Sequence, residues 1–151
     1  MGKRVERIAA SILLVALSPV LLLLAGIVLL TSGLPVLFIQ TRIGFNEEPF
    51  ELIKFRTMKR GAEVQHQEFL QKELAARGTF MVKPRIDARI TTVGKYLRKF
   101  HLDELPQLVN VVRGEMSFVG PRPMLPSEIS FLTTRQRKRF SVRPGVTGLA
   151  Q

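Results

Sequence analysis

Cysteine and tryptophan are absent from this 151-residue chain, tyrosine occurs once, as Tyr96, and histidine twice, as His66 and His101. Without thiols there can be no disulfide, thiolate nucleophile, thiolate zinc site or lipid anchor on cysteine. Two histidines likewise exclude a His-rich metal centre. Acidic side chains are scarce: 12 Asp and Glu stand against 23 Lys and Arg, a formal charge of +11. Such an excess implies an anionic partner, namely nucleic acid, an anionic membrane surface or a small phosphorylated substrate. The shortage of aromatics weighs against nucleic acid, since one Tyr and Phe residues set mostly in apolar patterns offer little for base stacking. The length suits one domain with a modest core, and no repeat or low-complexity linker divides it.

Charge is missing altogether from Ile8 to Thr41, and "IAASILLVALSPVLLLLAGIVLL" (8–30) is apolar enough to leave water. A bilayer core about 30 Å thick takes roughly 20 such residues as a straight helix, so the stretch is long enough to span. It exceeds the apolar run of about 7–15 residues in a cleavable signal peptide, and no A-x-A site follows. Both flanks are basic: Lys3, Arg4 and Arg7 before it, and Arg42, Lys54, Arg56, Lys59 and Arg60 after it. Positive flanks favour the cytoplasm, so a spanning helix would strand one of them outside, whereas a segment that enters and returns would not. Pro19 cannot donate to the carbonyl of Val15, and the Ser18 hydroxyl can satisfy a carbonyl so freed. "ALSPV" is therefore expected to kink at mid-depth, giving residues 1–35 as a re-entrant helix-break-helix and 36–151 as a cytoplasmic domain packed on the membrane surface. A Pro-kinked spanning helix is the competing topology.

Downstream, "VLFIQ" (36–40) and "FELIKF" (50–55) predict a β-hairpin with Lys54 and Arg56 at a strand end. Helices are predicted over 62–77, where His66 takes a solvated position, over 91–100 and over 104–114, the last closed by Gly114. A further helix is expected from Ser127, as N-cap, to Phe140, with Ile129, Leu132, Gln136 and Phe140 on one face. Its basic end, Arg135, Arg137, Lys138 and Arg139, is either a solvated face or a contact for lipid phosphates. "GEMSFVGPRP" (114–123) and "SVRPGVTGLAQ" (141–151) read as loops. The fold class is α/β: a small, mostly helical, membrane-associated domain with one short hairpin.

Adjacent acids such as Asp103 and Glu104 are commonplace on surfaces, but here Leu102, Leu105 and Leu108 surround them and Pro106 suits a first helical turn. The pair is thus expected at or near a helix N-terminus, which suits carboxylates and bound phosphate alike. Simple capping is one reading. In a chain so rich in Arg the other is phosphoryl chemistry, in which carboxylates gather Mg²⁺ and guanidinium groups hold the phosphates it bridges. Asp is also a competent nucleophile at phosphorus.

Four blocks in order, "TRIGFNEEPFELIKFRTM", "RIDARITTVGKYLRKF", "LDELPQLVNVVRGEMSFVGPRP" and "VRPGVTGLAQ", resemble the bacterial sugar transferases, the monotopic polyprenyl-phosphate phosphoglycosyl transferases, over essentially the whole chain. The resemblance implies Mg²⁺-dependent transfer of a sugar 1-phosphate from a nucleotide diphosphate sugar, usually a UDP-sugar, to polyprenyl phosphate, releasing a nucleoside monophosphate such as UMP, as the first membrane step of glycan assembly. It implies Asp103 as the nucleophile that forms a covalent phosphosugar enzyme and as a Mg²⁺ ligand, with Glu104 positioning the metal or accepting a proton. By the same resemblance Lys54, Arg56, Arg98, Arg122 and Arg143 bind diphosphate, nucleotide or lipid phosphate, with Arg122 held between Pro121 and Pro123. Ser18 and Pro19 match the family's broken re-entrant helix. The implied location is the cytoplasmic face of a bacterial inner membrane, with nucleotide sugar, polyprenyl phosphate and membrane lipids as partners, no nucleic acid, and a homodimer left open. His101 stands where a small hydroxyl residue is usual, which puts the capping of the acidic pair in question. Members usually continue past the "GLAQ" block, so an incomplete or inactive transferase is one competing expectation. A membrane-tethered basic binding module is the other.

Overall fold

The structure is a computed structural model in which residues 2–62 and 89–148 are described. The helix expected over 62–77, with His66, lies outside these residues except for Ala62. Helix α1 (Lys3–Ala16) and helix α2 (Ser18–Ser32) meet at Leu17 with a 61° bend. No single described helix is long and apolar enough to cross a membrane; the bent pair reaches that length only together. The joint follows from its two expected residues. Pro19 occupies the first turn of α2, where its missing N–H costs nothing, and the Ser18 hydroxyl donates to the Val15 carbonyl at 2.7 Å. Gly33, at φ 71°, ends α2 in a conformation that β-carbons resist.

Each arm of the bend is seated on the rest of the chain. Ala10 of α1 is fully buried against Leu52, Val111 and Met116, and Arg7 Nε donates to the Val112 carbonyl at 2.8 Å. Leu24 and Val28 of α2 pack on Phe55 and Leu97. Between these anchors the bend exposes Ile12, Val15, Leu22 and Leu23, apolar side chains that folding alone leaves uncovered.

The hairpin forms as expected but runs further. Strand β1 (Leu37–Ile43) pairs antiparallel with β2 (Pro49–Phe55), from Leu37 opposite Phe55 to Ile43 opposite Pro49. Because alternate residues share a face, Phe38, Gln40 and Arg42 lie beside their partners Lys54, Leu52 and Phe50. Asn110, fully buried, extends the sheet on its other edge: its side-chain oxygen accepts from Ile53 N–H at 3.2 Å, and its amide donates to the Glu51 carbonyl at 2.6 Å.

Helix α3 (Thr92–Lys99) fulfils the prediction for 91–100, with the Thr91 hydroxyl accepting from Gly94 N–H at 2.9 Å as its N-cap. The expected helix over 104–114 is two elements: a 3₁₀ segment (Leu102–Gln107), then α4 (Leu108–Arg113), closed by Gly114 at φ 83°. Pro106 lacks the N–H an α-helix would direct at Leu102, and the tighter turn avoids the need for it.

The helix predicted from Ser127 to Phe140 is corrected more substantially. A 3₁₀ segment (Pro126–Phe131), an extended step at Leu132 and Thr133, α5 (Thr134–Arg137) and a second 3₁₀ turn (Lys138–Ser141) replace it. Ser127 is not the N-cap; Leu125 holds that place, its N–H donating to Glu128 at 2.7 Å. Thr133 restarts the helix by a capping box, donating its N–H to the Gln136 side chain at 2.9 Å while its hydroxyl accepts from Gln136 N–H. A local cap thus outcompetes continuation of the helix. The stretches read as loops hold strand β3 (Ser117–Val119) and strand β4 (Gly145–Thr147), paired in parallel. Their approach needs glycine: a β-carbon on Gly145 would stand 2.0 Å from the nitrogen of Gly120.

Candidate functional site

The acidic pair enters the site on the 3₁₀ turn packed against β2. His101, ahead of it, sits in the left-handed region at φ 55° and makes no side-chain cap; its carbonyl receives Glu104 N–H at 3.2 Å. The question raised by His101 is thus answered locally: backbone hydrogen bonding holds the turn. Asp103 is buried, 6% exposed, while Glu104 lies on the wall of a small cleft. Arg42, Lys54, Gln107, Arg122 and Val146 form other parts of that wall. Arg42 and Lys54 also face a neighbouring cavity of about 330 Å³, whose lining includes Pro35, Phe38, Arg98 and Leu125.

Charge accumulates where these spaces adjoin. Burial, with Arg42 and Arg98 and further Arg122 alongside, pushes the Lys54 ammonium down to about 8, while the Asp103 carboxylate pulls it up. Arg42 is lowered by burial and by Arg122, and raised by Glu128. Cations crowded at this cost are held ready for an anion, since binding one relieves both their repulsion and their desolvation. Arg42 was not singled out as a ligand by sequence reasoning. The available signal was strand alternation, which puts it on the face of Lys54 once the hairpin is extended to Ile43. Its guanidinium is fixed by Gln40 Oε1 at 2.7 Å and the Pro123 carbonyl at 3.3 Å.

Of the predicted phosphate ligands, Arg98 and Arg122 therefore gather around Lys54, which also feels the Asp103 carboxylate. Glu104 shares the small cleft with Lys54 and Arg122, Arg98 lines the larger cavity, and Asp103 is on the wall of neither. Arg122 is carried to the cleft by the Pro121–Pro123 segment, which docks on β1 through Ile43 N–H to the Met124 carbonyl at 2.8 Å. Arg56 and Arg143 are placed differently. Arg56 touches the larger cavity but donates to the carbonyls of Ser32 and Gly33, and Arg60 donates to that of Leu34, so two distant arginines serve the open end of α2. Buried Nε and Nη1 of Arg56 have no hydrogen-bond partner among the described residues. The Arg143 guanidinium lies beside Gly114 and Arg7, outside the walls of both spaces, though Gly145 and Val146 after it line the cleft. In the basic cluster, Arg137 pairs with Glu47 at 3.0 Å and Arg139 donates to the Arg122 carbonyl at 2.9 Å.

Among the described residues no group of three or more Asp, Glu or His could enclose a metal ion. Asp103 and Glu104 instead supply hard carboxylate oxygens, the donor set of ions that complete their shell with water and substrate phosphate.

Comparison with known proteins bears on this geometry. The chain is 41% identical over 146 residues to the exopolysaccharide production protein ExoY of Sinorhizobium fredii, covering 95% of this chain and 65% of that protein. It is 43% identical over 158 residues to the UDP-glucose:undecaprenyl-phosphate glucose-1-phosphate transferase of Caulobacter vibrioides, covering 100% of this chain and 53% of the relative. Identity to the undecaprenyl-phosphate glucose phosphotransferase of Komagataeibacter xylinus is 42% over 158 residues, with 100% and 27% covered. The chain thus spans between 27% and 65% of the length of these relatives. A family match extends over residues 1–151, from the bent apolar helices through the acidic turn to the last strand, and by it the chain belongs to the bacterial sugar transferase family.

Proposed function

We propose that the chain transfers a sugar 1-phosphate from a UDP-sugar to polyprenyl phosphate, giving a polyprenyl-diphosphate sugar and UMP. The observation that carries this reading is the meeting of Glu104 with Arg42, Lys54 and Arg122 on one cleft, beside a cavity where Arg98 joins Lys54, with the Asp103 carboxylate acting on the same lysine. The names of the relatives from Caulobacter vibrioides and Komagataeibacter xylinus support the lipid phosphate as acceptor.

Two displacements at phosphorus account for the transfer. An Asp103 carboxylate oxygen attacks the sugar-bearing phosphorus, the bond from that phosphorus to the bridging oxygen breaks, and UMP leaves with the electron pair. An oxygen of polyprenyl phosphate then attacks the same phosphorus, and the aspartyl–phosphorus bond breaks to restore the carboxylate. Glu104, on the cleft wall, accepts any proton the lipid phosphate still carries. Lys54, Arg42, Arg98 and Arg122 hold the non-bridging oxygens as charge shifts towards the leaving group. Asp103 and Glu104 would hold Mg²⁺, which when bound neutralises phosphate charge.

The same reading places residues 1–35 as a re-entrant element, with the domain on the cytoplasmic face of a bacterial inner membrane. Both arms of the bend are buried against one domain, through Ala10 on one side and Leu24 with Val28 on the other. A helix that crossed the bilayer would draw one arm away from it. The larger cavity borders Pro35, just after α2, where a lipid phosphate would arrive from the interface.

The decisive experiment supplies detergent-solubilised chain with Mg²⁺, polyprenyl phosphate and a panel of UDP-sugars, and measures UMP release. Turnover with one sugar, abolished by Asp103→Asn, is expected. Release that persists in the Asn variant refutes the nucleophile, and failure with every UDP-sugar refutes the activity. A Cys placed at position 3 that is labelled from outside the cell, while one near position 60 is protected, refutes re-entry.

A further inference from the structure

Thr57 follows β2 and is 3% exposed, although its hydroxyl has no part in the sheet. That hydroxyl accepts a hydrogen bond from Arg98 Nε at 2.8 Å, across 41 residues of sequence. We propose that Thr57 is a positioning residue of the phosphate site, holding the Nε edge of Arg98 so that the terminal nitrogens of its guanidinium meet substrate phosphate. The proposal rests on the reading of Arg98 as a phosphate ligand.

The surrounding packing separates what the Thr57 backbone does from what its side chain does. The Thr57 carbonyl accepts from Thr91 N–H at 3.0 Å and from the Thr91 hydroxyl at 3.3 Å, and the same hydroxyl caps α3 through Gly94 N–H. Gly94 presses on that carbonyl so closely that a β-carbon there would stand 2.1 Å from the oxygen. The first turn of α3 is therefore clamped to the backbone of Thr57. Arg98 lies four residues after Gly94, on the same face of the helix, and so returns over the Thr57 side chain. The hydroxyl does nothing for the clamp. What it fixes is the orientation of one guanidinium on the wall of the cavity that Lys54 also lines.

The hydrogen bond uses Nε alone, and Thr57 takes neither of the two terminal nitrogens. The fork formed by the terminal nitrogens can grip two oxygens of one phosphate, but only if the plane of the group is set beforehand. A threonine hydroxyl, able to accept from Arg98 without adding charge, sets the plane and leaves the positive field intact. The phosphate could belong to the diphosphate of the sugar nucleotide or to the lipid carrier, and the two are distinguished by the probe used.

The test measures binding of inorganic pyrophosphate, and separately of undecaprenyl phosphate, to the detergent-solubilised full chain. Thr57→Val keeps shape and backbone clamp but removes the acceptor; about tenfold weaker binding of one probe is expected, and the probe affected identifies the phosphate Arg98 holds. Thr57→Ser should restore affinity to within about twofold, as one hydroxyl replaces another. Arg98→Ala should weaken the same probe, and adding Thr57→Val to it should cause no further loss, because a residue acting through Arg98 has nothing left to act upon. Wild-type affinity in Thr57→Val alongside a weakened Arg98→Ala overturns the positioning role, and so does an additive double variant. If Arg98→Ala binds both probes normally, the reading of Arg98 as a ligand fails and the proposal with it. Should Thr57→Val not fold, Arg98→Lys, which keeps the charge but lacks Nε–H, must show the same tenfold loss; wild-type binding there overturns the proposal.

Discussion

Replacing Asn110 with alanine should be among the most damaging single changes to this fold that leave the reactive groups untouched. Its side chain is fully buried and makes three hydrogen bonds: accepting from Ile53 N–H at 3.2 Å, donating to the Glu51 carbonyl at 2.6 Å and donating to Glu115 Oε2 at 2.7 Å. It does for the free edge of β2 what a third strand would do. Each bond contributes about 1 kcal/mol net, the one to the carboxylate somewhat more, and the abandoned N–H and carbonyl add a desolvation penalty of similar size. The expected loss is about 4 kcal/mol, or a fall of about 10 °C in Tm for a chain of this length. Asn110→Asp sharpens the test. It is nearly isosteric and keeps the acceptor for Ile53, but it sets a carboxylate against the Glu51 carbonyl and Glu115, so it should be no milder than alanine. Thermal and denaturant unfolding in detergent would measure both. A loss under about 1 kcal/mol in either variant would refute the account of Asn110 as a surrogate strand. Since Ile53 precedes Lys54, weaker phosphate binding should accompany the loss of stability.

Raising the pH should separate the two consequences of crowding around Lys54. Its folded value near 8 lies below the value of about 10.4 for an unfolded lysine, so between the two the unfolded chain binds more protons. Over that window stability contributed at Lys54 rises with pH while its share of anion binding is lost. Pyrophosphate affinity of the wild type should therefore fall above about 8 more steeply than that of Lys54→Arg, and parallel profiles would refute the assignment. Gly94→Ala gives the opposite of what helix propensity suggests. Alanine would ordinarily gain up to about 1 kcal/mol in α3, but a β-carbon 2.1 Å from the Thr57 carbonyl must force the helix off its seat. A loss of about 3 kcal/mol in denaturant unfolding is expected, and a stabilised variant would refute the close approach.

Some of this architecture was legible residue by residue. Ser18 and Pro19 specify a break because a missing N–H and a spare hydroxyl act within a single turn, and the carbonyl concerned is the one expected. The hairpin was legible from two β-rich runs, and α3 from its apolar face. The misread region from Ser127 to Phe140 shows the limit of periodicity: matching apolar spacing gives no warning that Thr133 and Gln136 will cap each other and restart the chain. Strands β3 and β4 were invisible for a different reason. Three residues have no measurable period, and their pairing partner lies 28 residues away, Ser117 opposite Gly145.

By itself the sequence determined the kinds of chemistry open to the chain: no thiol, an acidic pair set among leucines, an excess of cations and an apolar segment broken at its centre. These are local or compositional properties, and they survive any arrangement of the elements. Which cations meet the acids was decided only by tertiary structure. The register of β1 on β2 brought Arg42 to the face of Lys54, and the docking of Pro121–Pro123 on β1 brought Arg122 to the cleft. Packing also sent Arg56 to the end of α2 and Arg143 towards Gly114. A charge is written in the sequence, but its neighbours are set by contacts between residues far apart along the chain, and a site is made of neighbours.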